Sequence, residues 1–333
     1  MKQNNLAFAE GKPSLFIVQT PFQAMCAINA IRQLKIDNYT LQLHLHKTTE
    51  KRNRQTTEIV ERYGIKYQIE KNRPVSFFNR LGLLFNRKGC FNRVFLGTHL
   101  YQDGYFYALK ALRNRGNLVL LDDGIATLAL LENGYKVKGR SLLYKACHEL
   151  AAALRGIKLN NVLTVYKDKN NSKWNVAFND ISLLRQSGLP AEKRDVFFIG
   201  TNNSGFIREG IDESGFKQVL YDVLKKVKEF HPTEKITYIP HGRDKSTFAK
   251  DFCEEIGIEY MPLDVSIEIH LLASGYIPKA IYGFTSSALY NLKMIFPESD
   301  INNFVMRLLI DDNPSMLEAS AYYEKQGIPA LYV

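Results

Sequence analysis

The sequence predicts an α/β protein of two doubly wound domains, each a parallel sheet covered by helices on both faces. Three observations predict it. The chain has 333 residues, more than one hydrophobic core ordinarily serves. Apolar strand-like runs alternate with helix-periodic runs through both halves, the pattern of strand–helix–strand units. Between the halves lies QSGLPAEKRD, residues 186–195, a polar stretch with glycine and proline that reads as a linker. One domain is therefore expected over residues 1–188 and a second over 189–333.

The first strand is SLFIVQT (14–20), followed at once by Pro21 and the helix-periodic FQAMCAINAIRQL, so a strand runs through a tight turn into a helix with proline in its first turn. YTLQLHLH (39–46) alternates as a strand. TTEKRNRQTTEIVERYG reads as a helix ending at Gly64, and IKYQIE resumes strand character. RVFLGTH (93–99) is a strand, GYFYALKALRNRG a helix, and NLVLLDD a strand again. In the second half VFFIGTN, KITYIP, IEYMPL and KAIYGF are strands. GFKQVLYDVLKKVKEFH, FAKDFCEEIG, SIEIHLLASG and ALYNLKMIF are the helices between and after them.

With 45% hydrophobic, 12% aromatic and 23% charged residues, the composition excludes a disordered or fibrous chain. Cys26, Cys90, Cys147 and Cys253 are scattered without paired C-x-x-C spacing, so neither disulfides nor a zinc site are expected. The first twenty residues lack a signal-peptide core, and no run reaches the roughly 18 apolar residues of a membrane helix. The chain is expected to be neither exported nor membrane-spanning by its own signals. Its charge of +10 is uneven: residues 1–190 hold 29 lysines and arginines against 13 acids, and residues 191–333 hold 15 against 21. The basic half suits a phosphate-rich surface, whether lipid, lipopolysaccharide or nucleic acid. The run KNRPVSFFNRLGLLFNRKGCFNR (71–93) has six basic residues, no acid and four phenylalanines; it reads either as an interfacial element for anionic lipid or as a helix and loop with its rings in the core.

The polar clusters fall where strands end, which is where doubly wound sheets hold ligands. They are QTPFQ (19–23), DDG (122–124), PHGRD (240–244) and FTSSAL (284–289). In the last, Thr285, Ser286 and Ser287 open a helix, so hydroxyls and free N–H groups converge as for a phosphate; plain N-capping explains them equally well. His241 leaves its strand beside Gly242, placed to move a proton near neutral pH, or it is a satisfied turn histidine. His231 follows a helix and should emerge at the opposite sheet edge. Asp122 and Asp123 are two adjacent carboxylates at the end of an apolar strand, with Gly124 to turn the chain. Such a pair raises its own pKa toward that of a general base, or it is an acidic strand-to-helix turn; no further cluster completes a metal site.

Taken together these motifs resemble the bacterial sialyltransferases of the GT-B type, above all family 52 of the glycosyltransferases, which includes the lipooligosaccharide sialyltransferases, and the related capsular polysialyltransferases. Asp122, Asp123 and Gly124 match an acid-acid-Gly motif. His241 with Gly242 and Arg243 matches a histidine motif, and Ser286 with Ser287 a serine pair. SIEIHLLASGYIPKAIYGFTSSALYNL resembles the nucleotide-binding stretch, and QTPFQ the TPLQ-like turn. Gly242 stands where proline often follows the histidine, which keeps His231 in view.

The resemblance implies two Rossmann-like domains facing a central cleft and an inverting transfer of sialic acid from CMP-sialic acid. Asp122 would be the base that deprotonates the acceptor, and His241 would act on the departing phosphate. Thr285, Ser286, Ser287, Glu268, Pro240 and Gly242 would hold the donor, with Glu268 on the ribose. Asp123, Gly124, Gln19, Thr20 and Gln23 would line the acceptor side. No metal and no cofactor beyond the donor are required. The implied acceptor is a galactose-terminated glycolipid or oligosaccharide, of lipooligosaccharide or capsule, met in the cytoplasm or at the inner face of the inner membrane, with a homodimer compatible. Nucleic-acid binding is the different-class reading, suggested by the pI near 9.2 but supported by no known motif. A GT-B enzyme using another nucleotide sugar, or a catalytically dead sugar-binding module, keeps the fold.

Overall fold

The computed structural model describes residues 11–45, 50–71, 74–85, 88–97, 103–133, 140–169, 173–185, 192–208, 210, 212–307 and 313–333. The chain forms two units, Met1–Ile181 and Ser182–Val333. The boundary expected at 188 and residues 186–191 of the expected linker lie outside the described residues, while its last residues, 193–195, are not linker but the start of a strand, paired in parallel with residues 277–278.

The first unit is a seven-stranded parallel sheet. Its elements are β1 (Ser14–Val18), α1 (Pro21–Gln33), β2 (Tyr39–Leu45), α2 (Glu50–Arg62), β3 (Tyr67–Lys71), α3 (Phe77–Leu81), a single 3-10 turn (Gly82–Leu84), β4 (Phe91–Leu96), α4 (Asp103–Ala111), β5 (Leu112–Leu121), α5 (Ile125–Asn133), α6 (Arg140–Leu154), β6 (Lys158–Thr164) and β7 (Asn175–Phe178). The strand order is β3-β2-β1-β4-β5-β6-β7, the doubly wound order of a Rossmann domain with one strand added. Every residue of β1 is buried, as a central parallel strand covered on both faces requires. Phe16 of β1 stacks on Phe95 of β4, ring centroids 4.3 Å apart.

The helix read through 104–116 stops at Ala111, and RNRG joins β5 across a register shift. The cause is distant in sequence: the buried Arg155 guanidinium donates to the carbonyls of Leu109 (2.8 Å) and Leu112, taking acceptors that a further helical turn would use. The Arg115 N–H meanwhile donates to the carbonyl of Arg155 at 2.8 Å.

The second unit is a six-stranded parallel sheet, in order β10-β9-β8-β11-β12-β13. Its elements are β8 (Lys193–Ile199), α7 (Asn203–Arg208), α8 (Glu213–Phe230), β9 (Ile236–Ile239), α9 (Phe248–Ile256), β10 (Glu259–Tyr260), α10 (Ile267–Ser274), β11 (Ile277–Phe284), α11 (Ser287–Ile295), β12 (Asp300–Val305), α12 (Pro314–Lys325) and β13 (Ala330–Tyr332). Renumbered within the unit, this is the same 3-2-1-4-5-6 order. In each sheet the order reverses beside its first strand, between β1 and β4 in one and between β8 and β11 in the other. Loops leaving the carboxyl ends there diverge and leave a crevice.

Candidate functional site

Each unit gathers expected site residues at the carboxyl edge of its own sheet. In the first, Thr20 caps α1 by accepting from the Gln23 N–H (3.2 Å), which turns the Gln23 side chain toward the ends of β4 and β5. Gln23 is buried and bridges two loops. Its Oε1 accepts from the Gln19 N–H at 2.8 Å, and its Nε2 donates to Asp123 Oδ1 at 2.8 Å. Gly97, at the end of β4, makes room: a Cβ there would sit 2.8 Å from the Gln23 side chain.

The two adjacent acids face opposite ways. Asp122 is 0% exposed, and both oxygens are engaged: Oδ2 accepts from the hydroxyl of Thr164 and the Val165 N–H (2.9 Å), Oδ1 from the Gly124 N–H (3.0 Å). Burial pushes its pKa up to about 6, and those hydrogen bonds oppose the rise. Gly124 adopts φ +67°, a left-handed turn that glycine makes without strain, and this reverses the chain tightly enough for its N–H to reach Asp122. Asp123 is half-buried, held by Gln23 through its carboxylate and by Thr127 through its N–H (2.8 Å). The carboxylate expected to act on substrate, Asp122, therefore points into the fold, and its neighbour is the one near the surface.

In the second unit β9 delivers Pro240 and His241. His241 is half-buried, and its Nδ1 accepts from the Arg243 N–H at 3.2 Å, which leaves Nε2 to carry the proton of a neutral ring. Burial, with Arg243 adding to it, lowers its pKa to about 4 despite the opposing charge of Asp244. Near neutral pH this ring is a hydrogen-bond donor rather than an imidazolium. Gly242 is exposed, and no other atom lies within 4 Å of where its Cβ would be. His231, the other histidine considered, caps α8 at the opposite edge and pairs with the Tyr282 hydroxyl at 2.9 Å.

Ser286 and Ser287 stand half-buried at the start of α11. Ser286 is its N-cap, accepting from the Ala288 N–H at 3.3 Å, so capping is present whatever else the hydroxyl does. Thr285 turns inward instead, donating to Asn303 Oδ1 at 3.2 Å. Glu268, in the first turn of α10, is buried and accepts from Asn291 Nδ2 of α11 at 2.9 Å. That bond fixes one carboxylate oxygen against the middle of α11.

Two supports of this site carry no assigned role in the sequence: Asp244, within the PHGRD cluster, and Asn291. Asp244 accepts from Asn203 Nδ2 (2.8 Å), the Ser204 N–H (3.0 Å), the Ser246 N–H (3.1 Å) and the Ser246 hydroxyl (2.9 Å), tying the His241 loop to the start of α7. The Asp-x-Ser spacing of HGRDKS, a local turn signature, was the available signal. Asn291 has none, because its partner lies on another helix. Among the described residues no group of three or more His, Cys, Asp or Glu is arranged to hold a metal ion.

No protein-family description matches the chain, and no curated protein matches it. Solved structures do. The α/β-galactoside α-2,3-sialyltransferase of the luminous marine bacterium Photobacterium phosphoreum is similar with a TM-score of 0.56 and 12% identity, covering 96% of this chain and 99% of that one. UDP-GlcNAc 2-epimerase of Neisseria meningitidis, solved with UDP-GlcNAc, is similar with a TM-score of 0.54 and 12% identity, over 96% and 87%. S. aureus MnaA with UDP is similar with a TM-score of 0.51 and 12% identity, over 88% and 79%. The likeness is one of fold, and it agrees with the strand orders: the chain has two Rossmann-like domains of the GT-B class.

Proposed function

We propose that the protein is an inverting, metal-independent sialyltransferase of the family 52 kind, using CMP-sialic acid. The observation that carries the reading is the division of labour between two carboxyl edges: an oriented, half-buried carboxylate in one domain, and a neutral histidine, a serine pair and a fixed glutamate in the other.

The base in this reading is Asp123, not Asp122. A general base must reach the proton it takes, and Asp122 has both oxygens occupied inside the fold. Asp123 removes the proton of the acceptor hydroxyl. That oxygen bonds to the anomeric carbon of sialic acid as the bond from this carbon to the phosphate oxygen breaks, and CMP departs with the bonding electrons. His241 donates from Nε2 to the departing phosphate, where negative charge grows, and the hydroxyls and N–H groups at the start of α11 add to it. Glu268, steadied by Asn291, accepts from the ribose hydroxyls. No step calls on a metal ion, and the acceptor is a galactose-terminated glycan of lipooligosaccharide or capsule.

A second reading, an enzyme of UDP-sugars, draws on the fold likeness to the UDP-GlcNAc 2-epimerases. One assay separates them. Purified protein is incubated with CMP-sialic acid and lactose in excess EDTA, with UDP-GlcNAc in a parallel arm, while nucleotide release and product mass are followed. Sialyl-lactose formed with EDTA present, and lost in Asp123→Asn and His241→Ala, supports the proposal. Turnover of UDP-GlcNAc alone would replace it with the second reading.

A further inference from the structure

We propose that the outer face of α6, together with the segment Phe77–Phe85 beside it, docks on an anionic lipid bilayer. The starting observation is a helix laid the wrong way round for a surface in water. On α6, His148 is buried, as is Arg155 just past its end, while Leu142, Leu143, Leu150 and Leu154 face solvent, Leu143 59% and Leu154 66% exposed. With Ala146 and Ala153, also exposed, the outward apolar positions recur at 143, 146, 150 and 153–154, one stripe at helical spacing. The helix packs alongside α3 and the 3-10 turn after it. There Phe78 is 80% exposed and Phe85 83%. Soluble monomers rarely leave such a face uncovered.

This orientation is locked from beneath. The buried Arg80 guanidinium lies 4.2 Å over the Tyr144 ring, meets His148 Nε2 at 3.2 Å and pairs with Asp103, so α3, α4 and α6 are pinned by a polar cluster under the apolar face. Rolling α6 to hide its leucines would break the contacts of Arg80 with Tyr144 and His148.

Charge selects the occupant. The stretches that carry the face, residues 71–93 and 134–158, hold twelve lysines and arginines and one acid, Glu149. Arg80, Arg93 and Arg155 are internal, whereas among the described cations of these stretches Lys88 and Lys158 are exposed and Lys145 is half-buried. A second copy docked by the same face would set those cations against their own kind. An anionic headgroup layer attracts them, and the apolar side chains enter the acyl boundary. Among the described residues no helix is long and apolar enough to cross a membrane, so the contact is peripheral.

The test is co-sedimentation of the full chain with phosphatidylcholine vesicles, with and without phosphatidylglycerol, at low and high salt. It needs no turnover, so its outcome is independent of the reaction proposed above. We expect binding to the phosphatidylglycerol vesicles only, weakened by salt, and weakened about tenfold for each of Leu143→Ser and Phe78→Ser. Both positions are exposed, so an unchanged melting temperature is expected, and Lys88→Glu supplies a variant that touches no apolar contact. Three results would overturn the proposal: no binding to either vesicle, binding indifferent to both apolar substitutions, or a dimer in sedimentation that Leu143→Ser dissolves.

Discussion

Asp122 and Asp123 are neighbours in sequence and differ in everything that decides their chemistry. Removing the Asp122 side chain strands a hydroxyl and two backbone N–H groups inside the fold, so Asp122→Ala should lower unfolding free energy by at least about 2 kcal/mol in urea titration. Asp123→Asn, which keeps an acceptor for Gln23 Nε2, should leave that stability nearly unchanged and, on the proposed reaction, reduce kcat/KM by about 10²- to 10⁴-fold, the usual contribution of a general base. Gly97→Ala tests the positioning of Asp123 without touching it. The added methyl displaces the Gln23 side chain, so kcat should fall while the KM for donor stays near its original value. The acid-acid-Gly motif was legible in the sequence as a polar cluster at the end of an apolar strand. Which acid faces inward was not, because Thr164 and Val165 reach Asp122 from the next strand, more than forty residues along the chain.

At the scale of elements, the strand–helix alternation was readable wherever apolar periodicity was clean, as in β1, α8 and β11. It failed at the end of α4, where local propensity favoured more helix and the Arg155 guanidinium ended it from afar. The same region carries a pH-sensitive joint. Burial, with Arg80 adding to it, holds the His148 pKa down to about 3, below its unfolded value of about 6.5. The unfolded chain therefore takes up a proton that the folded one refuses, and stability is lost as pH falls below about 6.5. Replacing His148 by glutamine keeps an acceptor for Arg80 and removes the titration. Wild type should lose about 1.4 kcal/mol per pH unit relative to His148→Gln between pH 6 and pH 4 in denaturant unfolding.

The whole molecule is two domains of one topology with opposite charge, the first basic and the second acidic. If the donor residues belong to the second domain alone, CMP binds and stabilises that domain alone. Calorimetry should show one of two transitions moving upward, by about 2.7 kcal/mol of stability at a hundredfold excess over Kd, while the other stays in place. The sequence by itself determined the α/β class, the near-continuous apolar strands, the excess of positive charge in the first half and the clustering of polar motifs at strand ends. Each of these follows from local pattern: periodicity, composition, and a ligand crevice that lies where strands stop. Only the tertiary structure decided which way Asp122 and Asp123 face, that Thr285 serves Asn303, that Asn291 steadies Glu268, and that α6 turns its leucines outward. Those outcomes rest on contacts between residues far apart in the chain, and a side chain's burial is set by partners that its own neighbours in sequence do not reveal.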